Sequence, residues 1–162
     1  MGVPRITFTR FSSAGSAKLA PWREHRRRVI ERTGPTATGP TTESADRSVV
    51  WQLLSANNRE LARSADVYVD FISARASAVH AAEGVASRGT VTLVSDDQRG
   101  AYGWFVDVDQ VTEIVCARWY VAERERRHAV ELTLASLPLA RIADGARQHV
   151  EWQLPAPRVA SR

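Results

Sequence analysis

The chain has 162 residues, 44% hydrophobic and 25% charged, with one cysteine and a formal charge of +4. That length and balance suit one globular domain with tails. The apolar runs fall far short of the roughly 20 residues that cross a bilayer, no signal-peptide pattern is present, and a lone thiol excludes an internal disulfide, so the expectation is a soluble cytoplasmic protein with no membrane partner.

Residues 5–11, RITFTRF, have the β-branched and aromatic spacing of a short strand that Ser12, Ser13 and Gly15 end; a strand and a disordered tail both fit. Residues 22–32, WREHRRRVIER, suit a short basic helix with few apolar side chains for a buried face. Residues 33–46 hold Gly, Pro, Thr and Ser with no large apolar side chain, the composition of a linker. Residues 1–46 therefore read as a basic, largely flexible arm and linker.

The body spans residues 47–145. Val49, Trp51 and Leu53 share one strand face, Asn57 and Asn58 make a turn, and residues 61–68 return as a second strand. Asp70 is placed to cap a helix carrying Phe71, Ala74, Ala78, Ala82 and Val85 at helical spacing, with Gly84 and Gly89 at its end. Residues 90–95 read as a strand. In the next, Trp104, Val106 and Val108 face a core, and Asp107 and Asp109 face solvent. After a turn at Asp109 and Gln110, residues 113–121 pair back, and a helix over 122–137 carries Val130, Leu134 and Leu137 on one face, with Glu123–Arg127 and Arg127–Glu131 as supporting ion pairs. Residues 146–162 read as a tail with a short strand at 150–154.

Trp51, Glu60 and Tyr68 are echoed by Trp104, Glu113 and Tyr120, a repeat of about 53 residues whose halves are each too small to bury a good core alone. The strand residues Trp51 and Leu53, the turn Ala56-Asn57-Asn58, and then Glu60, Ser64 and Tyr68 resemble the YegP-like family, small bacterial domains of uncharacterised function often found in tandem. The second half keeps Trp104, Glu113 and Tyr120, with Asp109-Gln110 replacing the family's Asn-Gly turn and Ala117 replacing its Ser; in the first half Asn58 stands where the family has Gly. The resemblance spans residues 48–141 and implies an α+β fold of duplicated β-β-β-α repeats, about 48–86 and 90–141, forming an antiparallel sheet with two helices packed against it. The first repeat's missing strand is either residues 6–11 or 150–154. The family supplies no catalytic or binding residues.

Charge is divided along the chain: +5 over residues 1–47, −3 over 48–145 and +2 over 146–162. A polyanion would meet the flanks. Trp22, Arg23, Arg26, Arg27 and Arg28, with His25 among them, are the candidate polyanion-binding residues, since arginine beside an aromatic contacts phosphate and stacks on bases. Arg124, Arg126 and Arg127 form a weaker cluster, offset by Glu123 and Glu125. Asp107, Asp109 and Glu113 read as a solvated strand face and Cys116 as a buried thiol. No catalytic, cofactor or metal motif is present. The expected function is a non-enzymatic interaction module binding nucleic acid or an acidic protein through its arm. The alternatives are a ligand-binding or enzymatic cleft between the repeats with Cys116 or His128 at its edge, and a dimer joined through unpaired strand edges.

Overall fold

The structure, a computed structural model, describes residues 2–12, 16–31 and 47–149. The elements run β1 (Arg5–Arg10), α1 (Leu19–Ile30), β2 (Val49–Leu54), β3 (Glu60–Ser64), α2 (Phe71–Arg88), β4 (Gly89–Asp96), β5 (Ala101–Val108), β6 (Val111–Cys116), α3 (Glu123–Ser136), a 3-10 turn at Leu137–Leu139, and β7 (Arg141–Gln148). All strands join one sheet in the order β4-β5-β6-β3-β2-β1-β7.

The structure corrects two sequence expectations, the antiparallel sheet and the bounds of the body, and decides two that stood open. The sheet is mixed rather than wholly antiparallel, because β7 lies parallel to β1; the two strands are distant in sequence, with no tight hairpin between them to impose an antiparallel pair. β1 is no tail: Ile6 and Phe8 are buried, and the strand pairs with β2 on one side and β7 on the other. It, rather than a segment at 150–154, fills the place beside β2. The body therefore begins before residue 47 and runs to Gln148. The expected linker at 33–46 and strand at 150–154 lie outside the described residues.

The described part of the basic segment is likewise no flexible arm. In α1, Leu19, Trp22, Val29 and Ile30 are buried, with half-buried Arg26 filling the gap in the stripe; arginine's methylene stem covers apolar surface, and the Nε at its end is buried as well. Pro21 sits in the first turn, where its missing N–H costs nothing. Leu19 and Trp22 pack with Phe11, Val50 and Val67, whereas Trp51 donates from its indole to Ser77 of α2. Adjacent strand residues point to opposite faces, so α1 covers one face of the sheet and α2 the other, where α3 also packs on β5 and β3.

Helix α2 follows its expected pattern. Asp70 caps it, accepting from the Ser73 amide at 2.7 Å, and the buried positions Ala74, Ser77, Ala78, Ala81 and Gly84 are small enough for close approach to the sheet. A Cβ on Gly84 would stand 2.5 Å from the Val108 Cγ1 atom, which is why a helix interior tolerates glycine here. Asn58, Asp109 and Gln110 take positive φ values of 67°, 52° and 68°; the last two form the left-handed pair of a two-residue hairpin turn. Trp51 and Trp104 are fully buried, as their strand faces predict.

Helix α3 begins without a side-chain cap. Ala122 holds the extended cap conformation, φ −137° and ψ 143°, and Glu125 lies three residues on. Ala122→Ser completes a capping box with Glu125 and is expected to stabilise the chain by about 1 kcal/mol, read from the urea midpoint at unchanged slope. The expected pairs of Arg127 with Glu123 and Glu131 do not form; Glu123 instead lies 3.8 Å from Arg126.

Candidate functional site

Two places on the face covered by α2 and α3 bring polar side chains together. The first is a buried chain of hydrogen bonds under α2. Ser77 accepts from the Trp51 indole (3.1 Å) and the Tyr68 hydroxyl (2.6 Å) and donates to Glu113 at 2.5 Å. Glu113 also meets His80 Nδ1 at 3.2 Å, His80 Nε2 meets Asp109 at 2.7 Å, and Arg88 Nε reaches Asp109 at 2.8 Å.

Glu113 is therefore no part of a solvated strand face. Val106 pairs with Ile114 and Asp107 with Thr112, leaving Glu113 as the extra residue of a β-bulge, and a bulge re-aims its side chain, here toward α2. Burial pushes its carboxyl above the ordinary range, against the lowering effect of Ser77 and His80. His80 is raised, first by its bond to Asp109, which Arg88 and then His80 hold below the usual carboxylate range. Tyr68 is pushed up by burial and then by the charge of Glu113. Because His80 meets its two carboxylates at opposite ring nitrogens, the three groups do not converge, and no set of three metal-ligating side chains is grouped among the described residues.

The second place is an open groove of about 970 Å³ between α3, the β2–β3 hairpin and the segment entering α3. Leu61, Ala129 and Leu132 line it, with Tyr120 and Trp119 at one end and Arg59, Arg118, Arg124, Arg127 and His128 along its walls. Arg59, Arg124 and Arg127 make no ion pair among the described residues, while Arg118 lies over the Tyr120 ring at 5.9 Å. Of the groove's carboxylates, Glu60 is engaged by Arg63 at 2.9 Å; Glu125 and Glu131 stand beside the arginines. Burial raises Tyr120, a half-buried phenol held in its neutral form.

The two places occupy matching positions. At β2–β3, Leu53 pairs with Ala62 and Leu54 with Glu60, so Leu61 is the extra residue there, as Glu113 is at β5–β6. Ser77 and His80 stand seven and ten residues past the cap of α2, as Ala129 and Leu132 do past the cap of α3. Where one site has Glu113, Ser77 and His80, the groove has Leu61, Ala129 and Leu132. The spacing that matches Glu60 with Glu113 is thus corrected: the first loop is one residue longer, which displaces the count. The same shift makes Cys116, not Ala117, the counterpart of Ser64. Ser64 Oγ accepts from the Trp51 amide at 3.2 Å, and Cys116 Sγ accepts from the Trp104 amide at 3.5 Å.

The residues singled out for polyanion binding are mostly engaged within the fold. Trp22 is buried, with the Arg63 guanidinium 4.3 Å from its ring centroid, and offers no face to a base. Arg23 reaches the Arg47 carbonyl at 3.4 Å. Arg27 pairs with Glu24 at 2.6 Å, and Arg28 lies 3.8 Å from buried Asp96 and 5.6 Å from the Trp119 ring centroid. Arg26 is half-buried on the packed side of α1. Of the weaker cluster, Arg124 and Arg127 line the groove, but Arg126 is buried and donates to the Val94 carbonyl at 3.0 Å, so it is structural.

Cys116 is buried, and desolvation pushes its thiol up to about 11. The histidine beside it is His25, not His128: His25 Nε2 lies 2.7 Å from the Cys116 carbonyl and 3.9 Å from its sulfur. A carbonyl only accepts, so that nitrogen carries the proton and offers the thiol no base. Burial also lowers His25. Trp119 packs so close to Gly103 that a Cβ there would stand 3.0 Å from its ring.

An α+β molecule with three helices on a seven-stranded mixed sheet is what these elements define. No family profile matches the chain, and no curated protein does. Among solved structures it is similar to the solution structure of yegP from E. coli, a protein of unknown function, at 13% identity and a TM-score of 0.51, over 67% of this chain and 90% of that one. The chain has the YegP-like fold. No helix among the described residues is long and apolar enough to cross a membrane.

Proposed function

We propose that the chain is a non-enzymatic interaction module that seats an acidic, leucine-bearing segment of a partner protein in the groove beside α3. The observation that carries this reading is the set of arginines, Arg59, Arg124 and Arg127, that stand without carboxylate partners over the apolar floor of Leu61, Ala129 and Leu132. An apolar floor takes side chains of a peptide while the arginines meet its carboxylates. The basic cluster of α1 supports the polyanion reading less well, since Trp22 is buried and Arg27 and Arg28 are paired.

The test is fluorescence anisotropy with a labelled peptide of alternating glutamate and leucine, and with a single-stranded oligonucleotide. The peptide is expected to bind, more weakly as salt rises, and Arg124→Glu with Arg127→Glu is expected to weaken it roughly tenfold or more. Equal affinity of wild type and variant for the peptide sinks the groove. Binding of the oligonucleotide in preference to the peptide replaces the acidic partner with nucleic acid.

The match between the halves supports a finer reading, that residues 5–88 and 89–136 descend from one duplicated β-β-β-α unit, with α1 inserted in the first copy and β7 added after the second. The paired bulges and the bridges Val49–Tyr68 and Tyr102–Tyr120 support it. Ala129→Ser is the direct check. It supplies the hydroxyl that Ser77 offers Trp51 to the Trp104 indole, a buried N–H with no partner, and is expected to add about 1 kcal/mol, measured by urea denaturation. A loss would mean that the two positions are not equivalent.

A further inference from the structure

The two edges of the sheet are built differently. β7 carries Arg141, Asp144, Gly145 and Arg147, and its ladder with β1 breaks register between Ile6 and Phe8. Charges, glycine and a bulge are how edge strands are kept from pairing with other chains. β4, GTVTLVSD, pairs with β5 over eight consecutive residues without a break, bears no charge between Gly89 and Ser95, and among the described residues has no strand on its outer side. Leu93 on it is 55% exposed, and Val91 and Leu93 form one side of a recess of about 380 Å³ whose other wall is α3, with Val130 among the charged Glu123, Arg126, Arg127 and Glu131. A regular, uncharged, β-branched edge with an exposed leucine is a strand with its outer backbone groups ready for a partner.

We propose that the occupant is a second copy of this chain, its β4 pairing antiparallel with the first about a two-fold axis at Thr92 to make one sheet continuous across both molecules. The strand's own pattern argues for a copy rather than a foreign segment. Val91 pairs with Val106 and Leu93 with Trp104, so both lie on the face covered by α2 and α3, and Thr90, Thr92 and Val94 lie on the face that α1 covers. An axis at Thr92 sets Thr92 against Thr92, Val91 against Leu93 and Leu93 against Val91: hydroxyl meets hydroxyl and apolar meets apolar, each pair a stabilising cross-strand contact. A one-residue slip would oppose residues from different faces, which the pleat forbids. A two-residue slip would set Val91 against Ser95. The contact is isologous and closes on itself, and a second copy standing beyond β4 leaves the groove on the other flank of α3 open.

Light scattering of the full chain over a dilution series is expected to give the mass of two chains, falling to one only at high dilution. Leu93→Lys changes an exposed side chain and leaves the monomer fold intact, which circular dichroism verifies. It places two ammonium groups at the contact and removes two buried leucines, so the dimer is expected to weaken on the order of a hundredfold. Thr92→Cys is expected to cross-link to its own copy on mild oxidation, buried Cys116 being inaccessible. A wild-type mass of one chain at every concentration overturns the proposal, as does a dimer untouched by Leu93→Lys. Failure of Thr92→Cys to cross-link a dimeric chain overturns the register, and with it the self-complementarity on which the proposal stands.

Discussion

Replacing Trp104 with alanine is expected to cost about 3–5 kcal/mol, and Trp51→Ala the same or more. Both side chains are fully buried, so truncation loses the transfer energy of an indole and leaves a cavity in a layer where β2 and β5 meet the helices. The phenylalanine variants separate the two. The Trp51 indole donates to Ser77, and its loss removes a hydrogen bond inside a buried network. The Trp104 indole has no partner among the described residues, so Trp104→Phe removes a desolvated donor along with part of a ring. Trp51→Phe is therefore expected to cost about 1 kcal/mol more than Trp104→Phe, read from equilibrium urea curves. Equal costs would mean that the Trp51 hydrogen bond contributes nothing net.

How far the fold could be read in advance follows from how local each signal is. Helix α2 was legible because its cap, Asp70, and its small buried residues are consecutive on one face. β5 was legible because Trp104, Val106 and Val108 recur at every second position, with Asp107 between the last two, although the opposite face also carries buried Phe105. β7 was not: of RIADGARQ only Ile142 is a large apolar residue, since an edge strand beside β1 contributes little to the core and is charged to stay an edge. α1 looked like an arm because the basic run hides its stripe. Leu19 lies before the basic run of residues 22–32, and the middle of the stripe is Arg26, whose contribution is its methylene stem.

The groove and the buried network were not legible for a different reason. Both depend on β-bulges, and a bulge changes which residue faces a helix without changing composition. Glu60 and Glu113 stand at the same distance from their tryptophans, yet Glu113 is buried under α2, and Glu60 lies in an ion pair with Arg63. The signal was present in the loop lengths: one extra residue between Leu54 and Glu60 moves the pairing by one and puts Leu61 in the place of Glu113. Only the helix positions were within reach of spacing alone. Counted from the two caps, Ser77 and His80 fall on Ala129 and Leu132, a loss of polarity that opens an apolar floor where the other half is closed by hydrogen bonds.

That closure makes Ser77→Ala the most informative single change under α2. One hydroxyl serves the Trp51 indole, the Tyr68 hydroxyl and the Glu113 carboxylate; its removal leaves three buried groups short of a partner, at about 1–3 kcal/mol each and not additive, so a total of about 3–5 kcal/mol is expected. The cost should also depend on pH. Glu113 already binds its proton more tightly in the folded state than its ordinary value of 4.5, so its contribution to stability falls as pH rises from 4.5 through its folded pKa. Raised His80 acts with the same sign: its contribution is complete below 6.5 and is lost as pH rises through its folded pKa. The Ser77 hydroxyl holds the Glu113 carboxyl down, and without it that carboxyl moves higher still. Ser77→Ala is therefore expected to cost more at pH 8 than at pH 4, where a protonated Glu113 no longer needs the donor. Lowered His25 moves the opposite way but is present in both proteins and cancels in the difference. Urea denaturation of both proteins at the two pH values gives the comparison. A cost below about 1 kcal/mol, or one equal at both pH values, would show that Ser77 is not the hub joining Trp51, Tyr68 and Glu113.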